Sequence, residues 1–172
     1  MGTTTIAKPL NRFSEFLRLL RVSNSPTLIS EVLCVFVLSG GVSIAQFVAL
    51  LAMGLCLYLF GYATNDLFDL KWDRGHGNLR PLVLQTVSIQ EATTLSIILL
   101  VSATLLFRSH VSAENGTAWS LFGTLVMLIL AYNVLHKKSA SYKLLMAGTR
   151  AFLALTIAEV VFSGIAQPAR LY

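Results

Sequence analysis

Four oxygen-bearing side chains, Asn65, Asp66, Asp69 and Asp73, carry the chemistry most open to reading in this sequence. At helical spacing they fall within an arc of about 100°, so they share one face, while Lys71 and Arg74 point away from it. Three carboxylates on one face repel each other unless a cation joins them. The stretch directly follows an apolar run, and a charge at membrane depth costs roughly 2.5–3.5 kcal/mol even on the milder insertion scale. An oxygen-only donor set favours magnesium, which binds through one or two carboxylates together with substrate phosphates. No grouping of His or Cys offers a zinc site. Arg80-Pro81 follows a few residues later, and an arginine there could clamp a diphosphate with paired hydrogen bonds. The plainer alternative is a solvated helix end whose aspartates pair with Lys71 and Arg74.

The elements that must position these residues are membrane helices. Of the 172 residues, 55% are hydrophobic and only 12% charged. The charges fall in short clusters between apolar runs close to the ~20 residues a helix needs to cross the hydrocarbon core. The ten-residue alternation of a membrane β-barrel is absent. An all-α, polytopic bundle is therefore expected, with spans near 26–40, 43–64, 92–107, 117–135 and 144–165. Ahead of them, residues 1–24 read as an interfacial amphipathic segment carrying Phe13, Phe16, Leu17 and Leu20 at helical spacing. Residues 25–172 form the bundle. The polar lead and the length of the first apolar run argue against a cleaved signal peptide.

Charge placement sets the expected topology. Lys8, Arg12, Arg18, Arg21, Lys71, Arg74, Arg80, Lys137, Lys138 and Lys143 would lie on one side, ten of the 13 basic residues. That bias predicts a cytosolic N-terminus and a C-terminus on the opposite side, with membrane lipids as surroundings. It also puts 65–91 and 136–143 on the same face. The net charge of +5 does not point to nucleic acid, because the basic residues sit at the ends of apolar runs and form no continuous stripe. Within the spans, Glu31, Arg150 and Glu159 are intramembrane ionisable groups. Glu31 reads as cavity lining or as a partner of Arg150, and Arg150 as a cavity or carboxylate-pairing residue. Cys34 and Cys56 read as small buried apolar groups. Gly54 and Gly61 would let helices approach closely. Asn115-Gly116-Thr117 matches a glycosylation sequon.

Asn65-Asp66-x-x-Asp69-x-x-x-Asp73 followed by Arg80-Pro81-Leu82 resembles the first aspartate-rich motif of the UbiA superfamily of intramembrane prenyltransferases, the type that includes 4-hydroxybenzoate polyprenyltransferase. Arg18-x-x-Arg21 ahead of Asn24-Ser25-Pro26-Thr27, Tyr132-Asn133-Val134-Leu135-His136-Lys137-Lys138 and Gly148-Thr149-Arg150 are similar to further family segments, so the resemblance covers about residues 16–160. It implies Mg²⁺-dependent transfer of a prenyl group from a prenyl diphosphate to an aromatic or quinone-precursor acceptor. Asp66, Asp69 and Asp73 would hold the metal, and Asn65 would assist. Arg80 and Lys137 would offset charge on the leaving diphosphate, and Tyr132 would face the prenyl cation or orient the diphosphate. Arg150 and Glu31 would contact substrate. The sequence departs from the family pattern in three places. His136 stands where a lysine is expected, Val83-Leu84-Gln85 replaces a glycine-bearing turn, and no second aspartate motif follows Glu159. The competing expectation is therefore a catalytically incomplete half-bundle that acts as a membrane partner protein, or a truncated product. A cation carrier is disfavoured, since the cluster lies at a helix end, away from the bilayer midplane.

Overall fold

The computed structural model describes residues 11–40, 43–137 and 142–166, so Lys8, Lys138, Arg170 and the first ten residues of the N-terminal segment lie outside the described residues. The described chain folds as six α-helices and a short 3₁₀ turn: α1 (Arg12–Leu19), the turn Val22–Asn24, α2 (Pro26–Leu38), α3 (Ile44–Gly75), α4 (Ile89–Arg108), α5 (Gly116–Leu135) and α6 (Tyr142–Ala166). Four of these, α3 to α6, are long and apolar enough to cross a membrane. Segments Arg12–Leu19 and Val22–Leu38, which meet at a bend of 48°, would together supply a fifth span. The protein is a multi-pass membrane protein.

One expected boundary moves. The helix over 92–107 begins earlier, at Ile89, because Ser88 and Glu91 form a capping box: the Ser88 hydroxyl accepts from the Glu91 amide at 3.1 Å, and the Glu91 carboxylate accepts from the Ser88 amide at 2.8 Å. The shortest of the apolar helices is α2, with 13 residues.

Helix α3 is the spine of the bundle. Its 32 residues extend about 48 Å, well beyond the ~30 Å hydrocarbon thickness, so its final turns continue unbroken past the apolar stretch. It packs against α2, α4 and α5, while α6 packs against α2 and α5. The main core joins Leu28, Val32 and Phe36 of α2 to Leu50, Met53 and Leu57 of α3, Phe107 of α4, Phe122 and Leu125 of α5, and Ile157 and Val161 of α6. As expected, the small residues of α3 lie at the crossings: a Cβ on Gly54 would stand 3.4 Å from Val32, and one on Gly61 3.4 Å from Ile129 of α5. Beside Gly61, the Asn133 amide donates to the Gly61 carbonyl at 3.1 Å and to the Thr64 hydroxyl at 2.8 Å, which locks α5 to α3 in register.

A smaller core packs Leu19 of α1 against Leu82, Val87 and Ala92, with Phe16, Leu67, Leu70 and Leu95 around it. The face of α1 buried there is Glu15 and Leu19, whereas Phe13 and Leu17 of the expected apolar stripe remain exposed. Asn115 caps α5 by accepting from the Ala118 amide at 3.0 Å, and its own amide nitrogen, the atom a glycan would need, donates to Glu159 at 3.2 Å. Cys34 is exposed on α2 rather than buried, and Cys56 is half-buried.

Helix α3 ends where Gly77 adopts a left-handed conformation (φ +66°) and the Asn78 amide bonds back to the Asp73 carbonyl at 3.1 Å. The next turn closes in the same way. The Leu84 amide bonds to the Arg80 carbonyl at 2.9 Å and the Thr86 amide to the Pro81 carbonyl at 3.1 Å, with Gln85 in the left-handed region at φ +57°. A residue with a Cβ carries a strain of roughly 1–2 kcal/mol there, which glycine would not. Gln85→Gly should therefore raise the thermal midpoint in detergent, with a net gain of about 0.5–1 kcal/mol after the greater freedom of glycine in the unfolded chain is subtracted. A lowered midpoint would mean that the Gln85 side chain stabilises this turn by more than its backbone costs.

Candidate functional site: a buried aspartate cluster at the mouth of an apolar cavity

The four polar residues of α3 do share a face, and that face is turned inward: Asn65, Asp66, Asp69 and Asp73 are all buried, with Asp73 only 1% exposed. Lys71 and Arg74 are exposed, and the aspartates find their cations elsewhere in the fold. Arg80 approaches all three at once. Its Nη1 lies 2.9 Å from Asp66, 3.4 Å from Asp69 and 2.8 Å from Asp73. The left-handed turn at Gly77 makes this possible by folding the chain back along the end of α3. Arg21, between α1 and α2, lies 3.1 Å from Asp66, with its guanidinium 5.0 Å from the centre of the Tyr62 ring. At the end of α5, Lys137 lies 3.0 Å from Asp69 and 3.5 Å from Asp73, and the His136 Nε2 is 3.3 Å from Asp69. His136 and Lys137, from the segment expected on the same face as 65–91, contact it at this end of the bundle.

Behind the cluster lies a cavity of about 160 Å³ between α2, α3, α5 and α6. Its wall is largely apolar, with Leu28, Leu57, Leu125, Ile129 and Leu153, and Tyr58, Tyr62 and Tyr132 add aromatic surface. Arg21 and Asn65 stand where the cavity meets the aspartates, and Arg150 lines it from α6. Arg150 is ion-paired with Glu31 of α2, the carboxylate pairing that was one of the two readings for each residue. Tyr132 lines the cavity and stacks on His136 with ring centres 5.3 Å apart.

Known proteins share this family and fold. The UbiA prenyltransferase family matches residues 25–169. The chain belongs to that family. Among solved structures, a digeranylgeranylglyceryl phosphate synthase in membranes, also UbiA-type, is similar over 90% of this chain with a TM-score of 0.76 and 19% sequence identity. This chain spans 56% of the length of that one, so the likeness is one of fold. No curated protein sequence is significantly similar to the chain.

With the UbiA fold in hand, each sequence-expected residue can be placed. Asn65, Asp66, Asp69, Asp73, Arg80 and Lys137 come together in one cluster, Tyr132 and Arg150 border the cavity behind it, and Glu31 reaches the cavity only through Arg150. Arg21, His136 and Asn133 join the site although sequence reasoning assigns them no role in it. All three lie in segments that resembled the family, but only the packing of α3 against α5 and α2 reveals their contacts.

The donor set suits a hard cation. It is all oxygen and buried, and Asn65 Oδ1 and Asp73 Oδ2 receive no hydrogen bond of satisfactory geometry, although Arg80 is within ion-pair distance of the latter. A positive group, the Arg80 guanidinium, already stands where the three carboxylates converge. As arranged here, no three His, Cys, Asp or Glu side chains among the described residues are spaced to hold a metal ion, so a metal at the aspartates would have to displace the guanidinium.

That trade can be tested through stability. Arg80→Ala strands buried carboxylates and should destabilise the chain by about 3 kcal/mol, discounted from the usual cost of breaking a buried pair because Arg80 itself is partly exposed. Added magnesium should recover more of the thermal midpoint in Arg80→Ala than it adds to the wild type, and calcium or sodium less. Equal shifts in both proteins would show that the aspartates do not exchange the guanidinium for a metal.

Proposed function

We propose that this chain binds the diphosphate of a prenyl diphosphate at the aspartate cluster and, with magnesium, supports transfer of the prenyl group to an aromatic or quinone-precursor acceptor. The observation that carries this reading is the convergence of Asp66, Asp69 and Asp73 with Arg21, Arg80 and Lys137 at the mouth of an apolar cavity. Charge arithmetic supports the same reading. Three carboxylates face three fixed cations, so the cluster is near neutral, and a diphosphate arriving alone would leave it strongly negative. An anion of that charge is accommodated only together with a cation.

The roles follow from position. Asp66, Asp69 and Asp73 would hold magnesium, with Asn65 at their side, and the metal when bound supplies neutralisation of charge on the diphosphate. Arg80, Lys137 and Arg21 donate to phosphate oxygens, where they stabilise the negative charge that grows as the allylic carbon–oxygen bond breaks. His136, beside Asp69, adds a further donor when protonated. The aromatic face of Tyr132 borders the space next to the cluster, where a prenyl carbon losing its diphosphate becomes positive. The new carbon–carbon bond forms there, and the acceptor ring gives up the proton of the carbon attacked. A cavity near 150 Å³ admits a molecule the size of benzene, so the space next to the cluster suits one ring or the first isoprene unit against its leucine and isoleucine walls. We further propose that this end of the bundle faces the cytosol, on the strength of its share of the basic residues.

The test is magnesium-dependent binding and turnover of tritiated geranylgeranyl diphosphate by the purified full chain in detergent, beside Asp66→Asn and Asp69→Asn. Turnover should depend on magnesium and fall at least ~100-fold in each variant, as expected when charge stabilisation of the transition state is removed. Binding that needs the aspartates, without turnover by any acceptor offered, would support the other reading, a diphosphate-binding half-bundle. No magnesium-dependent binding would sink both.

A further inference from the structure

Apart from the aspartate cluster, and touching none of its residues, lies a further buried carboxylate. Glu15 of α1 is 1% exposed. Its Oε1 accepts from Arg18 at 3.1 Å and its Oε2 from the Thr86 hydroxyl at 2.8 Å. Thr86 closes the turn that begins at Arg80: its amide bonds to the Pro81 carbonyl at 3.1 Å, and its hydroxyl is 3.3 Å from the same oxygen. Arg18 reaches the other end of this segment, donating to the Leu79 carbonyl at 3.4 Å. Leu19 packs on Leu82 and Val87 between these two ties. Outside them, Arg12 pairs with Glu91 at the start of α4. Helix α1 thus grips the residues on both sides of Arg80.

We propose that Glu15 is a positioning residue: through Thr86 and Arg18 it fixes the turn 79–87 so that Arg80 stands at the focus of the three aspartates. The assignment rests on the diphosphate reading above for what Arg80 then does. A purely structural contact between α1 and the loop would be served as well by an apolar side chain, since burying an ion pair gains little over packed hydrocarbon. What a carboxylate adds is direction. One oxygen holds Thr86 at one end of the turn, the other holds Arg18, whose guanidinium donates to the Leu79 carbonyl at the other end, and the turn carries its only arginine between them. The backbone bonds from Val83 and Leu84 to the Arg80 carbonyl, at 3.0 and 2.9 Å, transmit the anchor at Thr86 to Arg80.

The experiment uses the full chain in detergent and reads Arg80 directly, by its rate of modification with phenylglyoxal followed by peptide mass spectrometry. Arg150 serves as an internal reference for the bundle. Glu15→Leu and Thr86→Val should each raise the Arg80 rate about tenfold, the worth of one hydrogen bond to a charged group, with Arg150 unchanged. The double variant should go no further than either single one, and Glu15→Gln, which keeps an acceptor for Thr86 but not for Arg18, should fall between the wild type and Glu15→Leu. Affinity for tritiated geranylgeranyl diphosphate with magnesium should fall in step with Arg80 exposure. A wild-type Arg80 rate in Glu15→Leu and Thr86→Val overturns the proposal. So does wild-type affinity in variants whose Arg80 has become reactive. A parallel rise at Arg150 in Glu15→Leu marks loss of the fold, and Thr86→Val, which removes one hydroxyl, then decides. If the wild type itself retains no geranylgeranyl diphosphate, the diphosphate reading fails, and the Arg80 rates alone support or overturn the role of Glu15.

Discussion

Three carboxylates buried on one face within three turns of a single helix repel one another, and the end of this bundle is organised by the need to neutralise them. No cation on α3 itself does so. Arg21 comes from the junction of α1 and α2, Arg80 from the turn after α3, and Lys137 with His136 from the end of α5. Each source is fixed by its own local device. The left-handed Gly77 reverses the chain toward Arg80, and Asn133 pins α5 to α3 just before Lys137. Arg21 is itself left-handed, at φ +47°, a conformation that costs a non-glycine residue of the order of 1 kcal/mol. Its bond to Asp66 and its place over the Tyr62 ring are the contacts that offset that cost.

Much of this is legible in the amino-acid sequence. Hydropathy locates the apolar runs, and a period of 3.6 places Asn65, Asp66, Asp69 and Asp73 together and Lys71 and Arg74 apart, because both signals are local. The positive-inside rule puts 65–91 and 136–143 on one side, which is why Lys137 can be joined to the aspartates across 64 residues of sequence. Partner identity is less accessible. Arg21 and Asp66 are 45 residues apart, and nothing local in either segment says that α2 leaves the first turn at the angle that brings them together. The most instructive failure is α1. Phe13, Phe16, Leu17 and Leu20 make an apolar stripe by spacing, yet the helix buries Glu15 and Leu19. A carboxylate on an amphipathic helix reads as its solvated side unless the hydroxyl and the guanidinium that satisfy it are known, and Thr86 lies 71 residues away. The turn 80–87 misleads in a different way: Gln85 takes the conformation a glycine would, so the turn forms without its usual residue.

The apolar cavity gives the cluster its setting. One end is bordered by Arg21 and Asn65 beside the aspartates, and Arg150, held by Glu31, lines it from α6. Charge in such a space is weakly screened, so each ionised group needs a near partner, and in the structure each has one. That condition makes the cluster a matched set in which no single charge can be changed alone. On the proposed reading the same condition governs substrate binding. Arg80 cannot hold three aspartates and a phosphate with the same nitrogen, so a diphosphate that engages Arg80 must bring positive charge to the carboxylates it leaves. Neutrality in a poorly screened space thus couples the anion to its cation, and it does so through the residue that α1 and the turn 79–87 hold in place.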